Sequence, residues 1–257
     1  MKCIFVSVFN KPTYVDMFFL LLESITLYGR LDEHTHLLVY TSTPFMKLIK
    51  ENPLFHRKIK FELNDTYNNV NKACTARLDL FKLASIRNYK KILYLDTDVL
   101  VKDDINKVFD VCKLDILYVL REGRIDRDSR SDFWGKTLFG EEVRLYKDKT
   151  AFTSGIMLFN NCPNMHFLFH KINEDIERRP HPFHDQPHIV YNAFKYKLYD
   201  NTTLIPLAVN RCQDVGSSQV IHHFPGGPGN AGHKMVKMRQ FLTNIKALPQ
   251  ASVGPEK

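Results

Sequence analysis

Short apolar runs alternate with stretches of helical period along this chain, and that alternation carries the fold prediction. Residues 3–9 read as an apolar strand, and a polar turn at 10–13 leads into a helix over 14–27, where Phe18, Leu21, Leu22 and Ile25 recur at helical spacing. Thr13 is placed to cap that helix and Gly29 to stop it. A strand at 35–40, a short helix opened by Thr43-Pro44 and a strand at 58–63 complete a β-α-β-α-β series. Such a series predicts an α/β fold with parallel strands and right-handed crossovers. After a polar loop at 64–71, the spacing of Ala73, Ala76, Leu80, Leu83 and Ala84 predicts one helix over 72–88. The run Ile92-Leu93-Tyr94-Leu95 then reads as a buried, parallel strand at the centre of the sheet.

The second half is less regular. A strand at 115–120 precedes a charged stretch at 121–149 that holds the only tryptophan, Trp134, and reads as an insertion or active-site loop with room for a short helix. The strand at 151–160 is interrupted by Gly155, a mark of a bulge or of close approach by a ligand. A helix over 163–176 and another capped by Asp185 follow, then short strands at 203–209 and 220–224. The glycine cluster at 225–232 leads into a basic helix that ends near Ala247. With no repeat and no linker, residues 1–247 are expected to form one domain, and the apolar-poor residues 248–257 a disordered tail.

Composition narrows the classes. Five cysteines with no C-x-x-C pair argue against a disulfide framework or a zinc site and fit a reducing compartment. The N-terminal apolar run breaks at Asn10-Lys11-Pro12 without a small-residue cleavage site, and no segment reaches the ~20 apolar residues of a membrane helix. A cytoplasmic location is the expectation. The net charge of +8 fits nucleic acid, an anionic membrane or phosphate-bearing substrates, but Lys and Arg are spread along the chain without an aromatic-laced stripe, which argues against nucleic acid.

Candidate chemistry gathers at strand ends. Asp96 and Asp98 close the central strand, separated by Thr97. Desolvated carboxylates need a partner, and a divalent cation with oxygen ligands supplies one; a strand-end residue followed by a turn cap is the plainer alternative. His222-His223 ends a later strand just before the glycine cluster, where imidazole could complete a mixed site suited to Mn²⁺, or serve only in packing. The glycines and Lys234 could hold a phosphate, although no Walker A ending is present, and a surface turn is the alternative. Asp185-Gln186 is either a helix cap or a carboxylate and amide that hold sugar hydroxyls.

Taken together, L-Y-L-D-T-D-V-L-V, F-T-S-G-I-M-L-F-N, H-D-Q and H-H-F-P-G-G…K, in that order from Cys3 to about Met238, resemble glycosyltransferase family 8 of the glycogenin-like type. The resemblance implies a single GT-A domain with a Rossmann-like, mostly parallel sheet flanked by helices. It also implies a UDP-sugar donor, Mn²⁺ (Mg²⁺ as the alternative) and transfer of a hexose, glucose or galactose, with retention. By position in the motifs, it implies Asp96, Asp98 and His223 as metal ligands, with His222 the lesser candidate. Lys234 and Gly226 would meet the diphosphate; Val8, Phe9 and Tyr14 the uridine; and Arg77, Thr97, Thr153 and Ser154 other parts of the donor. Asp185 and Gln186 would be the catalytic, sugar-contacting pair. The chain departs from the pattern at Thr153, at Phe183-His184 in place of Gly-Gly, at Pro182 in place of an aspartate, and in the absence of tyrosine from 210–219. These departures leave the donor sugar open and argue against self-glucosylation at that segment.

Two other functions use the same residues: a metal-dependent phosphoryl or nucleotidyl transferase, and a non-catalytic nucleotide-sugar-binding protein. The acceptor (glycan, protein or lipid), the choice between double displacement and front-face attack, and a homodimer all stay open. Two like charges in one site also lead to the expectation that Asp98→Asn stabilises the protein without metal.

Overall fold

The computed structural model describes residues 1–126, 133, 135–212, 216–226 and 230–248; Trp134, the middle of the glycine cluster and the tail at 249–257 lie outside the described residues. The chain begins with β1 (Lys2–Val8), α1 (Pro12–Tyr28), β2 (Thr35–Thr41), α2 (Thr43–Glu51) and β3 (Ile59–Leu63). The three strands pair in parallel, as the alternation predicts. α1 starts earlier than expected, because Pro12 has the fixed φ of a first helical residue. Thr13 is therefore inside the helix rather than its cap, and its buried Oγ1 has no hydrogen-bond partner among the described residues.

The predicted helix over 72–88 is not one α-helix. A single turn, α3 (Val70–Thr75), gives way to two 3₁₀ segments, Ala76–Lys82 and Ala84–Asn88, separated by the extended Leu83. Tertiary demands override the apolar spacing here. Arg77 and Asp79 are both buried and face separate polar partners, Arg77 toward Asp96 and Asp79 toward the hydroxyls of Tyr40 and Tyr67.

β4 (Lys91–Leu95) pairs parallel to β1 on one side and antiparallel to β7 (Thr150–Asn160) on the other. With β6 (Leu117–Arg124) and β8 (Tyr199–Asp200), these strands form a seven-stranded sheet ordered β3-β2-β1-β4-β7-β6-β8. Its two faces carry separate cores. Phe5 and Tyr94 point to one, with Phe152, Phe159 and Phe169; Ile4, Val6, Leu93 and Leu95 point to the other, with Phe18 and Leu22. This is the period-two alternation of strands covered on both sides.

Just past Asp98 the chain leaves this sheet. β5 (Val99–Val101) joins a small sheet ordered β5-β10-β9, with β9 (Ala208–Val209) parallel and β5 antiparallel to β10 (Ile221–His223). The strand predicted over 203–209 shrinks to β9, because the Asp200 carboxylate accepts from the backbone N–H and hydroxyl of both Thr202 and Thr203 and draws them into a turn.

The helices α4 (Asn106–Asp110), α5 (Lys136–Phe139), α6 (Pro163–Arg178), α7 (Gln186–Tyr196) and α8 (Ala231–Ala247) complete the set. Within the predicted insertion, β6 runs on to Arg124, and Phe133, Leu138 and Phe139 are buried; residues 127–132 lie outside the described residues. α8 packs on α1 through Met17, Met238, Phe241 and Leu242. No helix among the described residues is long and apolar enough to cross a membrane.

Candidate active site

The carboxyl ends of β1 and β4, the middle of β7, the start of α7 and the end of β10 converge on a cavity of about 890 Å³. Strands bring the polar groups here because apolar side chains cover both faces of the sheet, leaving the strand ends as the place where charge can reach solvent or ligand.

Asp96 follows β4 directly, and its N–H donates to the Gly155 carbonyl at 2.9 Å. Its Oδ1 accepts from Arg77 Nη1 at 2.9 Å and from the Tyr94 hydroxyl. Arg77 is the hub of this side. It also donates to the Ser154 carbonyl at 2.8 Å, its Nε stands 2.8 Å from Asp185 Oδ2, and its guanidinium lies 4.9 Å from the Tyr94 ring centre. Burial raises the Asp185 carboxyl, with Arg77 opposing and Asp96 adding to the rise.

Asp98 belongs to the small-sheet side. Lys234 Nζ from α8 donates to its Oδ2 at 2.6 Å, and His223 Nε2 stands 3.4 Å from its Oδ1. Burial pushes the Asp98 carboxyl up, but Lys234 and His223 more than offset this and hold it well below the usual carboxylate range. The expected stabilisation from Asp98→Asn is thereby corrected: the charge is a paired partner of the part-buried Lys234, not a source of unrelieved repulsion.

The histidine pair splits as strand alternation requires. His223 faces the aspartates, with Nδ1 2.9 Å from Asn210 Oδ1, a contact that fixes the orientation of the ring. His222 points the other way, with Nδ1 3.2 Å from Cys212 Sγ, Nε2 2.9 Å from the Gln219 carbonyl and its ring 4.6 Å from that of Phe241. Ligand atoms of Asp96, Asp98 and His223 all lie within 4.8 Å of one another. Asp98 Oδ1 is buried with no hydrogen-bond partner among the described residues. Two carboxylates and one imidazole with such an oxygen fit a divalent cation of the Mn²⁺ or Mg²⁺ kind.

Gly155 makes this grouping possible. Across the β7 bulge, Val119 pairs with Met157 while Leu120 pairs with Thr153. The bulge presses the Gly155 backbone against the cluster, and a Cβ there would lie 2.7 Å from the His223 ring and 3.0 Å from Asp96 Oδ2.

The other expected residues divide. Phe9, Tyr14, Arg77, Thr97, Thr153, Ser154, Asp185, Gln186, Gly226 and Lys234 all line the cavity. Val8 does not. Alternation along β1 sends Ser7 and Phe9 to the cavity and Val8 into the core, where it is fully buried. Gly226 lies under Lys234, where a Cβ would meet the lysine Cε at 3.2 Å. Thr153 is turned inward, its Oγ1 accepting from the Gly155 N–H at 3.2 Å. Asp185 occupies the cap position of α7 without making a side-chain cap bond, so its carboxylate serves Arg77 instead.

Four residues escape the sequence reading. Asn10, at φ 75°, carries a buried Nδ2 with no hydrogen-bond partner among the described residues and lines the cavity beside Phe9 and Tyr14. Its only sequence signal is its place in an Asn-Lys-Pro turn. Asn210 orients His223 from a loop, and Glu122 and Arg211 form an ion pair of 3.1 Å on the cavity wall. None of these three carries a local signal, since each is defined by a distant partner.

Comparison with known proteins places this geometry. Among solved structures, the chain is similar to the apo form of WbbM, a bifunctional glycosyltransferase, at 18% identity and TM-score 0.66, covering 96% of this chain and 50% of that one. It therefore spans half the length of that enzyme. It is similar to the galactosyltransferase LgtC, solved with donor and acceptor sugar analogs, at 15% identity and TM-score 0.64, covering 97% of this chain and 98% of that one. Mouse xyloside xylosyltransferase 1 is similar at 15% identity and TM-score 0.57, covering 90% of this chain and 99% of that one. Identities this low show the fold, which is GT-A. A comparison with curated protein sequences returned no match. The model for glycosyl transferase family 8 matches residues 35–198, from the start of β2 to the residue before β8. On that match the chain belongs to glycosyltransferase family 8.

Proposed function

We propose that the protein is a retaining hexosyltransferase that takes glucose or galactose from a UDP-sugar. A divalent cation, Mn²⁺ before Mg²⁺, would be held by Asp96, Asp98 and His223. The observation that carries this reading is the cluster of those three residues within 4.8 Å, on the wall of a cavity that also presents Lys234, Asp185 and Gln186.

The cation would supply positive charge beside the leaving diphosphate. The chain supplies the rest. Phe9, Tyr14 and the Asn10 Nδ2, which has no hydrogen-bond partner among the described residues, face the part of the cavity assigned to the uridine. Lys234 would meet the diphosphate, where charge grows as the sugar–phosphate bond breaks, and Gly226 leaves room for its stem. Arg77 pairs with both Asp96 and Asp185 and so ties the metal side to the sugar side. Asp185 is buried and tied to Arg77, which suits electrostatic support and hydroxyl binding better than attack on carbon. Front-face transfer, with the acceptor hydroxyl entering on the side the phosphate leaves, needs no further nucleophile.

A screen of UDP release tests this reading, with UDP-glucose, UDP-galactose and other UDP-sugars, in Mn²⁺ or excess chelator, without acceptor. Slow, Mn²⁺-dependent hydrolysis of a UDP-hexose is expected. UDP at ~100 times its dissociation constant should add about 2.7 kcal/mol of stability in Mn²⁺ and far less in chelator. Tighter binding of nucleoside triphosphates than of UDP, with no UDP-sugar turned over, would defeat the reading.

A further inference from the structure

Gln186 opens α7 with its side chain in the cavity, and its amide has a fixed polarity. Nε2 donates to Glu122 Oε2 at 2.7 Å and to the Phe152 carbonyl at 3.1 Å. Both partners can only accept. Rotating the amide by half a turn would set its oxygen against a carboxylate and a carbonyl, so the NH₂ has no alternative placement. Its oxygen is left over, and no described residue donates to it.

Glu122 is placed for this task by a second irregularity of the sheet. Arg121 pairs with Phe152 and Arg124 with Thr150, so β6 carries one extra residue at Glu122-Gly123. Such a bulge re-aims a side chain. The Glu122 side chain is only 11% exposed, and Arg211, itself in the left-handed region at φ 61°, balances its charge at 3.1 Å.

We propose that Glu122 is a positioning residue for sugar transfer. It holds the Gln186 amide so that the carbonyl oxygen, not the NH₂, faces the transferred sugar. The inference rests on the UDP-sugar reading above. As the sugar–phosphate bond breaks, positive charge grows at the anomeric carbon. A carbonyl oxygen facing it is attractive and an NH₂ repulsive, and the difference is largest in the transition state. Loss of the orientation therefore acts on kcat more than on KM.

The test is UDP release from the UDP-hexose that the wild type hydrolyses fastest, with Mn²⁺ and no acceptor. Glu122→Leu should lower kcat at least tenfold, leave the donor KM within threefold and keep the thermal shift given by UDP with Mn²⁺. In a Gln186→Leu background the same change should alter kcat less than twofold, because the group it orients is gone. If Glu122→Leu does not fold, Glu122→Met, which offers no oxygen acceptor to the Gln186 amide, enters the same cycle, and its effect must likewise vanish beside Gln186→Leu. An unchanged kcat, a loss confined to KM, or an equal loss in both backgrounds overturns the proposal. A wild type that releases no UDP from any UDP-sugar takes down the functional reading and this inference together; an active wild type indifferent to Glu122 takes down the inference alone.

Discussion

Gly155 and His223 are so close that a methyl group on residue 155 would stand 2.7 Å from the imidazole, nearer than any real carbon contact allows. Gly155→Ala must therefore push the His223 ring away from Asp96 and Asp98 and strain its bond to Asn210. Overpacking of this kind costs about 1–3 kcal/mol, which leaves the fold standing. The expected outcome is a folded protein whose melting temperature no longer responds to Mn²⁺ with UDP. A full response in Gly155→Ala would separate the glycine from the metal site.

Asp98→Asn should abolish Mn²⁺-dependent UDP release and also destabilise the protein in chelator. The lost charge leaves the part-buried Lys234 ammonium without its counter-ion. A cost of about 1–3 kcal/mol is expected at neutral pH. Denaturant titration in chelator checks this, and a variant more stable than wild type would contradict the pairing.

The two histidines should fail in different ways. His222→Ala removes a buried ring packed on Phe241 and should cost about 2–4 kcal/mol while the metal response of the folded fraction survives. His223→Ala should weaken Mn²⁺ binding and activity far more, with partial recovery at high Mn²⁺ through the two aspartates. Thermal shifts across a Mn²⁺ series distinguish them. The reverse pattern would mean that the register of β10 is off by one.

Part of this site was legible in the chain alone, because its clues are local. An apolar run that ends in two carboxylates, a glycine in the middle of a strand and adjacent histidines in a strand each state their constraint within a few residues. The placement of Val8 was also legible in principle, since alternation with Phe9 settles which of them faces the cavity. The 3₁₀ winding at 76–88 was not legible, because burial of Arg77 depends on Asp96 and Asp185, far away in sequence. Nor was the transfer of Val99–Val101 to a second sheet, whose partner strand arrives only at Ile221. Asn210, Glu122 and Arg211 belong to the same class: pairings made by the fold, with no trace in their neighbours.

Away from the cavity, Asp175 sets an acid limit on stability. Burial opposes its ionisation, but bonds from Arg179, His188 and Arg178 bring its carboxyl from 3.8 down to about 2. A depressed folded value means that the unfolded chain binds the proton first. The stabilisation is therefore complete above pH 4 and is lost as pH falls from there toward 2. After allowance for screening at the more exposed arginines it is about 1–2 kcal/mol. Asp175→Asn should remove that share at pH 7 and flatten the loss of stability between pH 4 and 2 in denaturant titrations. An unchanged slope would show the network to be inert.

The ion pair between Lys234 and Asp98 spans 136 residues. On a ribosome, where chains grow by roughly 5–20 residues per second, that gap lasts on the order of ten seconds. β6, β7 and β8 of the large sheet are made within this interval, while Asp98 has neither its lysine nor its histidine, which arrive with β10 and α8. β5 pairs with β10 in the small sheet, so that sheet cannot close until residues 221–223 have emerged. The Asp98 carboxylate is thus made early and paired late, and its side of the cavity is completed by β10 and α8.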